Sequence, residues 1–205
     1  GQAQEDAMWA YQNALMLAIT GRKPHAAKAI KILNAWAGRL KKVSGIDGVL
    51  ASGLQGFKFV NAAELIRYTD AGWTEDEARR CEASFKNAWL PTIEHYAYFA
   101  NGNWETAALQ TKMAIAVFCN DRELFEETVQ YAVNGCGNGS IPHMIVYPTG
   151  QCQETTRAQH YVQLGIGLLT GAAEVAWQQG VDLYGWNDSL ILKGHEYTAK
   201  YGIGE

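Results

Sequence analysis

EDAMWAYQNALMLAITGRKPHAAKAIKILNAWAGRLKK, residues 5–42, carries the architecture of the chain in miniature. From Glu5 to Thr20 apolar residues recur at helical spacing, and Gly21 stands where a helix ends, because glycine enters the left-handed region without a Cβ clash. Pro24 suits the first turn of a second helix, where the N–H it lacks would have no intrahelical partner anyway. That helix, His25–Lys42, places Ala27, Ile30, Ile32, Leu33, Trp36 and Leu40 on a stripe wide enough to be buried. A connection this short makes the two helices antiparallel.

The same punctuation repeats outward. Residues 44–48 read as a loop and 49–68 as a third helix. Thr74 and Glu77 form a capping box that opens a fourth helix, which Pro91 breaks or kinks after about Leu90. Asn103 can cap a fifth helix over 104–118, and Asn120 with Glu123 a sixth over 121–134. The segment 135–152, GCGNGSIPHMIVYPTGQC, is rich in glycine and reads as a long loop with a short strand at MIVY. A seventh helix is expected over 153–179, ended by Gly180, and an eighth from Asn187 or Asp188 to about Tyr201. Gly165 and Gly167 fall inside the seventh, where they permit close packing between helices. Four hairpins follow, 5–40, 49–97, 103–135 and 153–201, in an all-α chain of antiparallel helical hairpins. The pattern alone leaves a closed toroid and an open solenoid equally available.

Composition narrows the function. The 205 residues are 48% hydrophobic and 19% charged, enough for one domain over 1–205 with a full core, and disorder is excluded. Net charge is −4 and no Lys/Arg block occurs, so no nucleic-acid partner is expected. No apolar run approaches the roughly 18 residues of a membrane span. Seven Trp and ten Tyr fit either a sugar cleft or a bulky core. The chain begins at Gly1 without Met, and a processed form or fragment is expected. Cys81 and Cys119 fall on helical stripes, and Cys136 and Cys152 bracket the glycine-rich loop, with a disulfide between them left open. No CxxC, HExxH, GxSxG or dinucleotide motif is present, so neither a metal nor another cofactor is expected.

Three patches carry ionisable or aromatic groups. On the expected seventh helix, Arg157 lies three and four residues before His160 and Tyr161, which puts the three on one face, and Gln153 and Glu154 extend that face by a turn. An ordinary Glu154–Arg157 helix pair accounts for part of this equally well. In Asn101-Gly102-Asn103-Trp104, Asn103 is a helix cap or a side-chain amide aimed into a cleft, and Trp104 is core or cleft wall. In the loop, His143, Tyr147 and Gln151 precede the polar helix end.

The run YPTGQCQETTRAQHYVQLGIGLLTGAAEVAWQQGVDLYG, with GNWE before it and LKGHEYTAKY after it, resembles the alginate lyase superfamily of polysaccharide lyases, as do NGCGNGS and the opening AMWAYQNALMLAITG. The resemblance covers nearly the whole chain and is most specific at QCQE and the Arg157–His160 segment. It implies an (α/α) toroid, incomplete in this chain, a secreted or periplasmic location, and β-elimination on a uronic-acid polymer such as alginate, polymannuronate or glucuronan. It implies catalytic roles for Asn103, Tyr147, Arg157 and His160. Asn103 would neutralise the sugar carboxylate, Arg157 would bind it or tune the base, and His160 would be base or neutraliser. Tyr147 is the first choice for the tyrosine role and Tyr161 the second. Trp104, His143, Gln153, Glu154 and Tyr161 would contact substrate. Related sequences commonly carry Asp after the motif Arg, where this chain has Ala158, and alginate lyases place a Tyr where it has Leu164. Two other functions fit such a scaffold. One is a glycoside hydrolase using Glu154 with Glu64 or Asp182, and the other a non-catalytic glycan-binding or degenerate lyase domain.

Overall fold

The structure, a computed structural model, describes residues 1–202. Helix α1 (Gln2–Thr20) ends at Gly21, whose φ of 68° puts its N–H on the carbonyl of Leu17. Helix α2 (Lys23–Arg39) carries Pro24 in its first turn. Then come α3 (Gly48–Arg67) and α4 (Glu75–Ser84), the latter opened by the Thr74–Glu77 capping box with both reciprocal bonds made. A π-helical turn (Phe85–Trp89) follows and leads into the single-turn α5 (Leu90–Ile93). Pro91 therefore does not stop the helix. The turn before it widens, and Leu90 N–H reaches back to Phe85, five residues away.

Helices α6 (Gly102–Phe118) and α7 (Arg122–Asn134) form the next pair. The short α8 (Ile141–Met144) then feeds a two-residue hairpin, β1 (Ile145–Val146) against β2 (Gln151–Cys152), before α9 (Gln159–Gln178) and α10 (Trp186–Gly202). In α10 the residues Asn187, Asp188 and Ser189 have left-handed backbone angles, so the right-handed helix begins after them, later than the sequence suggests. All four cysteines are free thiols, with Cys152 buried and Cys136 exposed.

The helices form two layers. Helices α1, α3, α6 and α9 pack side by side, and α2, the α4–α5 segment, α7 and α10 stand behind them. Helices α3, α6 and α9 run parallel, as the close approaches show. An added Cβ on Gly53 of α3 would meet Ala107 of α6, and one on Gly56 would meet Thr111. Across the other side of α6, Gly165 and Gly171 of α9 face Asn103 and Gln110. Gly165 thus packs as the sequence implied, whereas Gly167 meets nothing. Helix α6 is buried on all sides from Asn103 to Phe118 apart from Trp104 and Val117. This is the expected state of a helix flanked on both sides and backed by α7. Two of its buried polar groups reach the neighbouring helices: Thr111 Oγ1 donates to Gly53 O at 2.5 Å, and Lys112 Nζ reaches Glu127 at 2.8 Å.

These contacts set two opposing glycine substitutions. In Gly53→Ala the new Cβ would lie 2.6 Å from the carbonyl carbon and 2.7 Å from the carbonyl oxygen of Ala107, which cannot move away alone. Overpacking of about 1–3 kcal/mol outweighs the helix-propensity gain of about 1 kcal/mol, so urea unfolding should show a net loss. Gly167→Ala, with open space around it, should gain about 1 kcal/mol.

Candidate active site

A helix N-terminus exposes backbone N–H groups that need acceptors. At α6 the N-cap, Asn101, supplies no side-chain acceptor. The acceptors come instead from 51 residues further on. Gln153 Oε1 takes Gly102 N–H at 3.3 Å, and Glu154 Oε1 takes Asn103 N–H at 2.6 Å. Asn103 is therefore not the cap that its sequence position suggested, but the second residue of the helix. Its Nδ2 donates to both oxygens of Glu154, each at 2.8 Å.

This tertiary cap also corrects the seventh helix. The sequence put Gln153, Glu154 and Arg157 on it, but α9 starts at Gln159, and 153–158 is a run of turns. Glu154 is drawn onto the end of α6, its backbone N–H lying 3.5 Å from Cys152 Sγ, and the chain reverses through Thr155 N–H to Cys152 O and Arg157 N–H to Glu154 O. The shared helical face predicted for Arg157, His160 and Tyr161 thus does not exist. The three still meet, by a turn and not by helix period. Arg157 Nη1 donates to Glu154 Oε2 at 2.7 Å, and its guanidinium lies 3.8 Å from the centre of the Tyr161 ring. The His160 and Tyr161 rings are 4.0 Å apart.

The site therefore has two depths. Asn103 and Glu154 are each 1% exposed. Arg157 and Tyr161 are half-buried, and His160 and Gln153 are exposed. The Arg157 side chain keeps 33% of its surface open to solvent while Glu154's keeps none.

The remaining candidates lie apart. Tyr147 is at the turn of the hairpin, 53% exposed, and among the described residues no hydrogen bond or ring contact joins it to this cluster. His143 Nδ1 is 2.9 Å from Gly135 O and 2.9 Å from Ser140 Oγ. A carbonyl only accepts, so Nδ1 carries the proton and a neutral ring has its lone pair on Nε2. Trp104 is half-buried, edge-on to Phe99 at 6.2 Å, and Phe99 is in turn 6.0 Å from Tyr98. Tyr98 and Phe99 are 71% and 65% exposed, making an aromatic row beside the start of α6. Of the carboxylates considered for hydrolysis, Asp182 accepts from Gly185 N–H in its own turn, and Glu64 lies on α3 in a separate groove. Among the described residues, no group of three or more His, Cys, Asp or Glu is placed to hold a metal ion.

One residue of the site carried no role in the sequence reading. Glu105, in the GNWE motif, is fully buried and accepts from Tyr131 Oη at 2.6 Å. The loop NGCGNGS wraps it so closely that a Cβ on Gly137 would strike its carboxylate and one on Gly139 its Cβ. This close approach is what the two glycines allow. Ser140 Oγ and His143 then tie the same loop to Gly135. The clustered glycines were the available signal, and they needed only a partner.

Burial pushes the Glu105 carboxyl above its usual range, against the pull of the Tyr131 hydroxyl and of the Gly139 and Asn138 backbone. A carboxyl raised in the folded state costs stability as pH climbs from its unfolded value through the raised one. In urea titrations, Glu105→Gln should therefore flatten the fall in stability with rising pH that begins near the ordinary glutamate value of 4.5. An unchanged slope would mean that Glu105 does not titrate in that window.

The alginate lyase family profile matches residues 2–205. A crystal structure of an alginate lyase from Bacteroides ovatus has a similar fold, with a TM-score of 0.78 at 18% identity, over 99% of this chain and 59% of that one. At that identity the likeness concerns the fold, and the chain spans 59% of that protein's length. No curated protein sequence matches. The profile match runs through both GNWE and QCQE, the two segments that Asn103 and Glu154 join, and the chain belongs to the alginate lyase family.

Proposed function

We propose that the protein is a polysaccharide lyase that cleaves a uronic-acid polymer, alginate or a relative, by β-elimination. The observation that carries this reading is the Arg157 guanidinium, held between a buried carboxylate and the Tyr161 ring with His160 beside it. The family supports it, and a secreted or periplasmic setting, where such polymers occur, is part of the same proposal.

The C5 proton of a uronate becomes removable once the neighbouring carboxylate is neutralised. Arg157 spends one N–H on Glu154 and has further donors for a sugar carboxylate. His160 accepts the C5 proton, and the charge that develops on the carboxylate is met by Arg157. The C4–O4 bond breaks as the C4–C5 double bond forms. The Tyr161 hydroxyl gives its proton to the departing O4 and is reprotonated from solvent. The contact with Arg157 favours Tyr161 over Tyr147 for the tyrosine role. Asn103 has its Nδ2 on Glu154, so in this reading it acts on Arg157 through that carboxylate. Gln153 holds the end of α6, and Trp104, with Phe99 and Tyr98, offers ring faces to neighbouring sugars. His143, on the far side of the first turn of α6, is left to order the glycine-rich loop.

A hydrolase would need an accessible pair of carboxylates, and the Glu154 side chain has no exposed surface.

The product's conjugated C4–C5 double bond absorbs in the ultraviolet, and a hydrolase product does not. Incubation with polymannuronate, polyguluronate, glucuronan and hyaluronan should give rising absorbance with at least one of them. Arg157→Ala, His160→Ala and Tyr161→Phe should each lower the rate by about 10²–10⁴-fold, and Tyr147→Phe by less than about tenfold on the same scale. A flat trace with every polymer overturns the lyase reading. A larger loss in Tyr147→Phe than in Tyr161→Phe returns the tyrosine role to the hairpin.

A further inference from the structure

We infer that the groove between the β1–β2 hairpin and the last turns of α10 is a second binding site, for an anionic sugar residue of the chain being cleaved. It rests on the lyase reading only for the identity of that chain. The groove has a volume of about 530 Å³, within the size range of small-ligand sites. Thr149 and Gln151 come from the hairpin, and Lys193, Tyr197, Lys200 and Tyr201 from α10.

Spacing puts the four α10 residues together. Positions 193, 197, 200 and 201 fall on one helical face. The Tyr197 and Tyr201 rings are 4.5 Å apart, and Lys200 Nζ is 5.5 Å from the Tyr201 ring centre. The opposite wall is fixed, because Gly150 at the hairpin turn sits directly against the backbone of Lys193, with no room for a Cβ. The groove also opens at the right end of the molecule. Helix α10 runs back along α9, and a Cβ added at Gly202 would lie 3.9 Å from the side-chain nitrogen of Gln159, the first residue of α9, next to His160.

The chemistry selects the ligand. Tyrosine rings offer flat apolar faces to the C–H side of a pyranose, the hydroxyls of Thr149 and the tyrosines and the amide of Gln151 meet sugar hydroxyls, and lysine ammonium groups meet a carboxylate. Lys200 in the last turn also suits the helix dipole, but that role needs neither the tyrosine pair nor the hairpin wall. Two carboxylates oppose an anion here. Glu196 lines the groove, and Asp188 pairs with Lys193 at 2.8 Å. Glu196 gives the proposal its sharpest sign, since removing its charge should tighten binding of an acidic sugar.

Calorimetric titration of the intact chain with an unsaturated tetramannuronate, and with a neutral mannan tetramer as control, tests this. Lys200→Ala and Tyr201→Ala should each weaken tetramannuronate binding at least fivefold, Glu196→Gln should tighten it about twofold, and the neutral control should bind weakly to all. With polymer substrate the two weakened variants should raise KM and leave kcat unchanged. Unfolding curves confirm that each variant folds. If the wild type binds no tetramannuronate, or Lys200→Ala, Tyr201→Ala and Glu196→Gln all bind it as the wild type does, the groove is not such a site. If the variants shift binding as stated but no polymer is cleaved, the groove stands and the lyase reading falls.

Discussion

A carboxylate without exposed surface governs the working end of this protein. Burying a charge of this kind costs several kcal/mol unless it is paired and hydrogen-bonded. Glu154 meets that condition with four bonds: the backbone N–H of Asn103, two from its side-chain amide, and one from Arg157. The N-terminal end of α6 adds the positive pole of its dipole. Each partner is fixed in return. Helix α6 acquires the cap it otherwise lacks, the QCQE turn is drawn off the start of α9, and Arg157 is aimed with part of its surface open. A buried ion pair is weak evidence for stability in general. Here its value is geometric, because it joins two segments 51 residues apart at the point where the chemistry is proposed.

The rigidity behind that junction comes from α6. It lies between α3 and α9 and is buried along most of its length. Glycines on both neighbours let the backbones approach, so the parallel register of the inner layer is set by shape as well as by apolar area. Polar residues in such a helix need partners of their own, and on the side facing α7 a chain of contacts engages Lys112 and one carboxylate oxygen of Glu105. Lys112 Nζ lies 4.4 Å over the Tyr96 ring, Tyr96 stacks on Tyr131, and Tyr131 donates to Glu105. The glycine-rich loop closes over the far end of that chain. The two faces of the first turn of α6 thus carry two buried carboxylates, Glu154 and Glu105, each organising a different loop.

How much of this was legible in the sequence depends on the range of the interaction. Local signals held. Gly21, Pro24 and the Thr74–Glu77 box end and begin helices as their chemistry requires. Gly165 packs closely as its place inside a helical pattern implied. What failed was local reasoning applied to groups with distant partners. Asn103 looked like a cap because asparagines often are. It gives that role up because Glu154 arrives from elsewhere and serves the helix better, with a full charge at hydrogen-bonding distance. Asn120 lost the capping of α7 to its neighbour, Asp121, whose side chain accepts from Leu124 N–H. The extra turn given to the seventh helix has the same cause, since periodicity cannot show that Glu154 is bound to another helix. Arg157, His160 and Tyr161 were grouped correctly for the wrong reason. Glu105 stayed invisible because a lone glutamate in a helical pattern reads as surface until the glycines around it are known to be its walls.

Net charge looks unfavourable for the proposed action on a polyanion, since the chain carries −4. The relevant quantity is local. At physiological salt, charges more than about 8 Å from a ligand are largely screened when exposed to solvent, so the many surface carboxylates on distant helices matter little. In the proposed reading, what a uronate chain meets is set by the few groups within that range. Arg157 alone is a poor answer, because Glu154 already holds part of its field. In the proposed reading a second positive element therefore has a physical purpose, and α10 carries Lys193 and Lys200 on the face that lines the groove. The acidic partners there, Glu196 and Asp188, keep that element weak. For the proposed cleavage of a polymer, weak binding suits a site away from the reacting bond, because sugar contacts made equally in ground and transition states hold substrate and product without speeding the reaction.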